Sequence, residues 1–233
     1  GALNDALNSV AVTGSDVRAY TDLMAVVSAV KAVHGLADGT DDNGTADLTA
    51  ADFAALGVTG LDTTTTPESD EQVARLAILN DVLDRKDNTA AYPGGDADTV
   101  AEVQALHDAA QAVLRTAKGD TPKITEVQLE LLGFTTLTAS DITSDNLSAI
   151  QQVLINTYAA SSDFSGIDTL AKIETLTKNT IDALNGIVDA AVNNAGTTTT
   201  LGVDTTAGLT KADFAAMGVT GVTNSGTGSA NNL

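Results

Sequence analysis

The sequence predicts an all-α fold: three tandem small helical repeats, each a three-helix bundle, arranged in an elongated array. Three observations carry this expectation. The phrase LTAADFAALGVTGL at 48–61 returns as LTKADFAAMGVTGV at 209–222, with a degenerate copy, ITEVQLELLGFTTL, at 124–137. Ahead of each copy, apolar residues recur every three or four positions, the period of one helix face. Hydrophobic residues make up 43% of the 233, but aromatics only 3% and Trp is absent. Such an interior is built from Ala, Leu, Val and Ile, which suits helices packed closely along Ala-rich seams.

Taken in order, the first unit opens with a short stub, ALNDALNSV, followed by a long helix bearing Tyr20, Leu23, Val26, Val30, Val33 and Ala37 on one stripe. The second unit has a short helix near 69–86 with Val73, Leu76, Leu79 and Leu83. Its long helix carries Val100, Val103, Leu106, Ala110, Val113 or Leu114, and Ala117. The third repeats the plan near 145–159, with Leu147, Ile150, Leu154 and Tyr158, and then with Leu170, Ile173, Leu176, Leu184 and Ile187. Aligned from its start, the third long helix is seven residues longer, two turns that return the stripe to the same face. The phrases begin at Leu48, Ile124 and Leu209, spacings of 76 and 85 residues, so the repeating unit is domain-sized. The units are expected at 1–62 (first helix truncated), 63–138 and 139–223, with 224–233 a linker and the start of a further repeat. The Thr runs at 63–66 and 197–200 read as exposed connections.

Each phrase specifies a short helix with both ends fixed. Thr49 is a natural N-cap, and Asp52 three residues on can close a capping box. Leu48 and Phe53 stand where a hydrophobic staple needs them, and Gly57 supplies the left-handed stop, with Val58 packing back on Phe53. The middle copy fills the same roles with Ile124, Thr125, Gln128, Leu129, Gly133 and Phe134. The last fills them with Leu209, Thr210, Asp213, Phe214, Gly218 and Val219. What recurs is cap, staple and stop, all of them folding roles.

Chemistry has little to stand on. The net charge of −20 and eleven scattered basic residues argue against nucleic acid and anionic membranes. No apolar run approaches the length of a transmembrane helix, and the first residues lack the pattern of a signal peptide. Gly1 reads as a cloning remnant, so the sequence reads as an excerpt of a longer protein. With no Cys there is no thiolate chemistry. His34 and His107 read as surface or boundary residues of the long helices, and no nucleophile, phosphate-binding or dinucleotide fingerprint is present. The one candidate metal site is an acidic loop. Counting Asp41 as position 1 puts Asn43, Thr45, Asp47 and Asp52 at positions 3, 5, 7 and 12 of a calcium-binding EF-hand loop. Ala46 stands where that turn wants Gly, and the other units do not share the loop, so calcium is not part of the common design.

The repeated phrases, the NL…ALN starts and the DT…AE…AL long helices resemble the Ala/Thr-rich helical tandem repeats of large secreted bacterial surface proteins, of the biofilm-associated or RTX-type adhesin sort. That resemblance covers nearly the whole chain and rests on repeat style. It implies an extracellular or cell-surface location, no enzymatic activity and no cofactor beyond calcium. The implied role is a structural or adhesive segment in cell adhesion and biofilm, whose partners are neighbouring repeats. A different class, a three-helix module recognising a specific host or extracellular protein, is the alternative.

Overall fold

Hydroxyl side chains fix most of the helix starts. The computed structural model describes residues 2–8, 20–37, 47–66, 68–86, 97 and 99–194. Among these the chain is all-helical: α1 (Ala2–Leu7), α2 (Tyr20–Leu36), α3 (Ala50–Leu56), α4 (Asp70–Asp84), α5 (Val100–Ala117), α6 (Glu126–Leu131), α7 (Ser144–Ser161) and α8 (Leu170–Asn194). Thr49, Thr99 and Thr125 each close a capping box, with Asp52, Glu102 and Gln128 respectively, and Ser69 caps α4 alone. Each box satisfies two backbone donors that the first turn leaves without a helical partner. At 25 residues against 18, α8 exceeds α5 by the expected two turns.

The helices fall into three roles: short (α1, α4, α7), long (α2, α5, α8) and phrase (α3, α6). Short packs on its own long helix in α1/α2, α4/α5 and α7/α8, and long packs on its own phrase helix in α2/α3 and α5/α6. Two further pairings cross from one sequence unit to the next. Long meets the following short helix in α2/α4 and α5/α7, and short meets the following long helix in α1/α5 and α4/α8. Every one of these pairings occurs at least twice.

The interior is one continuous cluster of buried aliphatic side chains running from Ala6 to Ile181, with Phe53 and Phe164 as its buried aromatics. Because α1, α4, α6 and α7 surround α5, that helix buries Leu106, Ala109, Ala110, Ala112, Val113 and Leu114 on several faces rather than one. Its alanines let neighbouring backbones approach closely.

Three positions depart from the apolar stripes read in the sequence. Val73 is half exposed, at 52%, and the buried surface of α4 includes Ala74, Ile78 and Val82. The cause is that α4 has neighbours on several sides, α2, α5 and α8, which a single-stripe reading does not anticipate. Tyr20 and Leu23 of α2 are exposed as well.

Candidate functional site: the joints between units

The first phrase is tightly specified. Leu48 and Phe53 are both buried; Asp52 N–H donates to Thr49 Oγ1 (3.4 Å) and Thr49 N–H donates to Asp52 Oδ2 (2.9 Å). Gly57 sits at φ 105°, its N–H bonding to Ala54 O (3.0 Å) while Val58 N–H bonds to Phe53 O (2.9 Å). This pair of bonds is the Schellman pattern, and buried Val58 supplies its apolar contact. In the middle phrase Ile124 and Leu129 are buried, Thr125 pairs with Gln128, and Gly133 takes φ 69°. Leu209, Thr210, Phe214 and Gly218 lie outside the described residues.

Side chains from elsewhere clasp both ends of these two phrases. At the front, Asn80 of α4 accepts from Leu48 N–H (2.8 Å) and donates to Leu48 O (3.0 Å). In the middle copy Ile124 N–H donates to Thr116 Oγ1 (2.7 Å), and Gln151 of α7 donates to Ile124 O (2.8 Å). The following unit's short helix thus supplies an amide to the residue before each cap. At the back, Thr59 N–H donates to Gln104 Oε1 (2.8 Å), and Thr136 N–H donates to Glu174 Oε1 (2.5 Å). Gln104 is the fifth residue of α5 and Glu174 the fifth of α8. The two clasps therefore occupy one register position of successive long helices.

The second joint is strongly polar. Arg85, closing α4, pairs with Glu174 (Nη1–Oε2, 2.9 Å), and Asp81 of α4 accepts from Leu170 N–H (2.8 Å) at the start of α8. A carboxylate at a helix N-terminus satisfies a free N–H and complements the helix dipole. Burial pushes the Glu174 carboxyl upward, but the bonds from Thr136 and Arg85 outweigh it and hold the group below the ordinary carboxylate range.

Around the first joint, α4 and the loop after α3 enclose His107. Gln72 bonds to the backbone of Asp62, with Asp62 N–H donating to Gln72 Oε1 at 2.9 Å; Arg75 Nη1 donates to Gly60 O (2.9 Å). Exposed Asp62 in turn accepts from Thr64 and Thr65, and those bonds, Thr65's hydroxyl first, hold its carboxyl well below the usual range. The Thr run at 63–66 is thus exposed but folded around Asp62. His107 is only 1% exposed, which corrects the surface or boundary position expected from sequence. Its Nδ1 lies 3.2 Å from Gln104 Nε2 and 3.1 Å from Asp108 Oδ1, while Nε2 is buried without a partner, as is Arg75 Nε. Burial, reinforced by the nearby Arg75 charge, holds the imidazole below its ordinary pKa despite the opposing pull of Asp108. Gly60, at φ 90°, presses against this ring: a Cβ there would stand 3.1 Å from Cε1. The ring therefore fills the joint, with its second nitrogen sealed under the loop. His34 of α2 is half-buried.

Of the acidic loop, Asp41, Asn43 and Thr45 lie outside the described residues. Asp47 is exposed, and Asp52 spends Oδ2 on the Thr49 N–H and hydroxyl. Among the described residues no group of three or more His, Cys, Asp or Glu could hold a metal ion, and no helix is long and apolar enough to cross a membrane.

Comparison with protein-family models, curated proteins and solved structures finds no match to this chain. The chemistry of the joints therefore has to be read from its own residues. Sequence reading missed Asn80, Gln104, Asp81, Arg85 and Glu174. A signal existed for one pair only: Gln104 and Glu174 share a register, each with a side-chain carbonyl or carboxylate oxygen.

Proposed function

We propose that this chain is a non-enzymatic structural segment of a large bacterial cell-surface or secreted protein, a tandem array of three small helical units serving cell adhesion and biofilm formation. The observation that supports this most is the pair of clasps at one register position, Thr59 to Gln104 and Thr136 to Glu174. Repeat arrays gain stability from such nearest-neighbour interfaces, and an interface reused at each step lets units be added without redesign. The strong negative charge keeps an extended array soluble and discourages its collapse onto itself. The polar groups of the joints serve other parts of the same chain, which fits a spacer better than a catalyst. The resemblance to biofilm-associated and RTX-type repeats points the same way and supports a location outside the cell for the parent protein.

The test is a length series. One, two or three copies of the whole chain are placed between a cell-surface anchor and a peptide tag, and capture of the tag by an antibody-coated bead is counted. Capture should rise with each added copy, and should exceed that given by flexible Gly/Ser linkers of equal residue number. Capture that is independent of copy number would contradict the spacer role.

A further inference from the structure

Three positions of the first joint change together at the second. Gly60 stands twelve residues after Leu48, as Thr136 does after Ile124. His107 is the eighth residue of α5, as Thr177 is of α8. Arg75 stands six residues after the cap Ser69, as Ala149 does after Thr143. Thr177 is as buried as His107, at 1% exposed, but its hydroxyl donates within its own helix to Ile173 O (2.8 Å). A glycine, an imidazole and a guanidinium thus meet at one joint, and two threonines and an alanine hold the matching positions of the other.

The bonds around His107 fix which nitrogen carries its proton. Gln104 Nε2 donates to Asp108 Oδ1 (2.8 Å) and to Thr59 O (3.3 Å), which spends both amide hydrogens. A lone pair on Nδ1 would face the Asp108 carboxylate 3.1 Å away, so Nδ1 carries the hydrogen and donates it there. Nε2 keeps a lone pair, buried beneath Gly60 without a partner. A second proton has to arrive at Nε2, and no acceptor waits for it. Gly60 O already accepts from Arg75 Nη1 (2.9 Å), and Arg75 brings only donors and a positive charge. A buried N–H without an acceptor, beside a like charge, favours moving the ring into water.

The other charges of the elements around the ring weigh less. Asp108 attracts an imidazolium, but its side chain is 54% exposed and water screens it. Glu71 of α4 is paired with Lys118 (3.0 Å), and Asp62 of the loop accepts from Thr64 and Thr65. Burial, with Arg75 added to it, outweighs the pull of Asp108.

We propose that residues 58–66 form an acid-released latch: a proton taken from solvent at His107 Nε2 lifts Gly60 off the ring and breaks the loop's bonds to Gln104, Arg75 and Gln72, opening the first joint while the second stays closed. With the latch open, the imidazole stands in water and takes its ordinary value, about 6.5. The closed latch holds it lower, so opening is favoured as pH falls below about 6.5, by up to tenfold per pH unit. The latch stands on the geometry of this joint and holds whatever the chain spaces apart.

Amide hydrogen exchange of the full chain at about pH 7.5 and about pH 5.5, corrected for the intrinsic effect of pH, tests it. In the wild type, the opening constants of the Thr59 and Asp62 amides should rise severalfold in acid, by about tenfold at most. The Thr136 amide, held by Glu174, should not change. His107→Gln should make Thr59 and Asp62 indifferent to pH. Gly60→Ala, with a Cβ 3.1 Å from Cε1, should open the loop already at about pH 7.5 and bring the His107 imidazole, titrated by NMR, up toward its ordinary value. Wild-type amides that ignore acid, a rise shared equally by Thr136, a rise that survives in His107→Gln, or an imidazole unmoved by Gly60→Ala would each overturn the latch. The wild type and Gly60→Ala decide the matter even where His107→Gln fails to fold.

Discussion

His107 shows how a single residue can be legible in type and illegible in place. Its helix position gave no sign of burial, because what covers it comes from afar: Arg75 on α4 and the Gly60 loop that Arg75 holds. The imidazole is kept below its ordinary pKa by burial first and by Arg75 second. The unfolded chain then takes up a proton at a pH where the folded chain does not. Stability from this residue is therefore complete above the unfolded value, about 6.5, and declines as pH falls below it. Glu174, held below the carboxylate range, acts in a separate window: its contribution is present above its unfolded pKa and is lost at lower, carboxylate-range pH. Urea midpoints taken between about pH 7 and pH 5 should fall with acid in the wild type and fall less in His107→Gln. Equal slopes in the two proteins would show that His107 takes up its proton alike in the folded and unfolded chain, contradicting the lowered pKa of the joint.

At the scale of elements, local codes read well and neighbours read poorly. The α3 helix is only seven residues long, too short to persist by propensity, yet Thr49, Asp52, Phe53 and Gly57 marked its start, anchor and end in the sequence. Those signals are local, each acting within five residues. The apolar stripes were less reliable, since Val73 and Leu23 fit the period but face outward. Periodicity reports which residues share a face, not how many partners surround the helix. Two glycines separate these effects. Gly57 holds φ 105° and Gly57→Ala should lower unfolding free energy by about 1–2 kcal/mol, the penalty of a left-handed residue bearing a Cβ. Gly35, within α2, has nothing within 4 Å of an added Cβ, and Gly35→Ala should raise stability by roughly 0.5–1 kcal/mol. Chemical denaturation measures both, and a loss at Gly35 or a neutral change at Gly57 would contradict the assigned backbone roles.

For the whole molecule, the all-α class was visible in composition and repeat, whereas the joints were not. Asn80 reaches Leu48 across 32 residues, Gln104 reaches Thr59 across 45, and Arg85 reaches Glu174 across 89. Partners that far apart leave no periodic trace, and the repeat disguises them further because equivalent clasps use different residues, Asn80 in one and Gln151 in the other. The pairings α2/α4, α5/α7, α1/α5 and α4/α8 join helices of successive sequence units, so those units are expected to unfold as one cooperative body. Residue-resolved amide hydrogen exchange of the full chain in rising urea measures that coupling most directly, in the wild type and in Glu174→Ala. Amides of α5 and α8 should open together in the wild type, and α8 should open at lower urea than α5 once Glu174 is gone. Separate opening of α5 and α8 in the wild type, or coincident opening unchanged by Glu174→Ala, would contradict coupling through the joints.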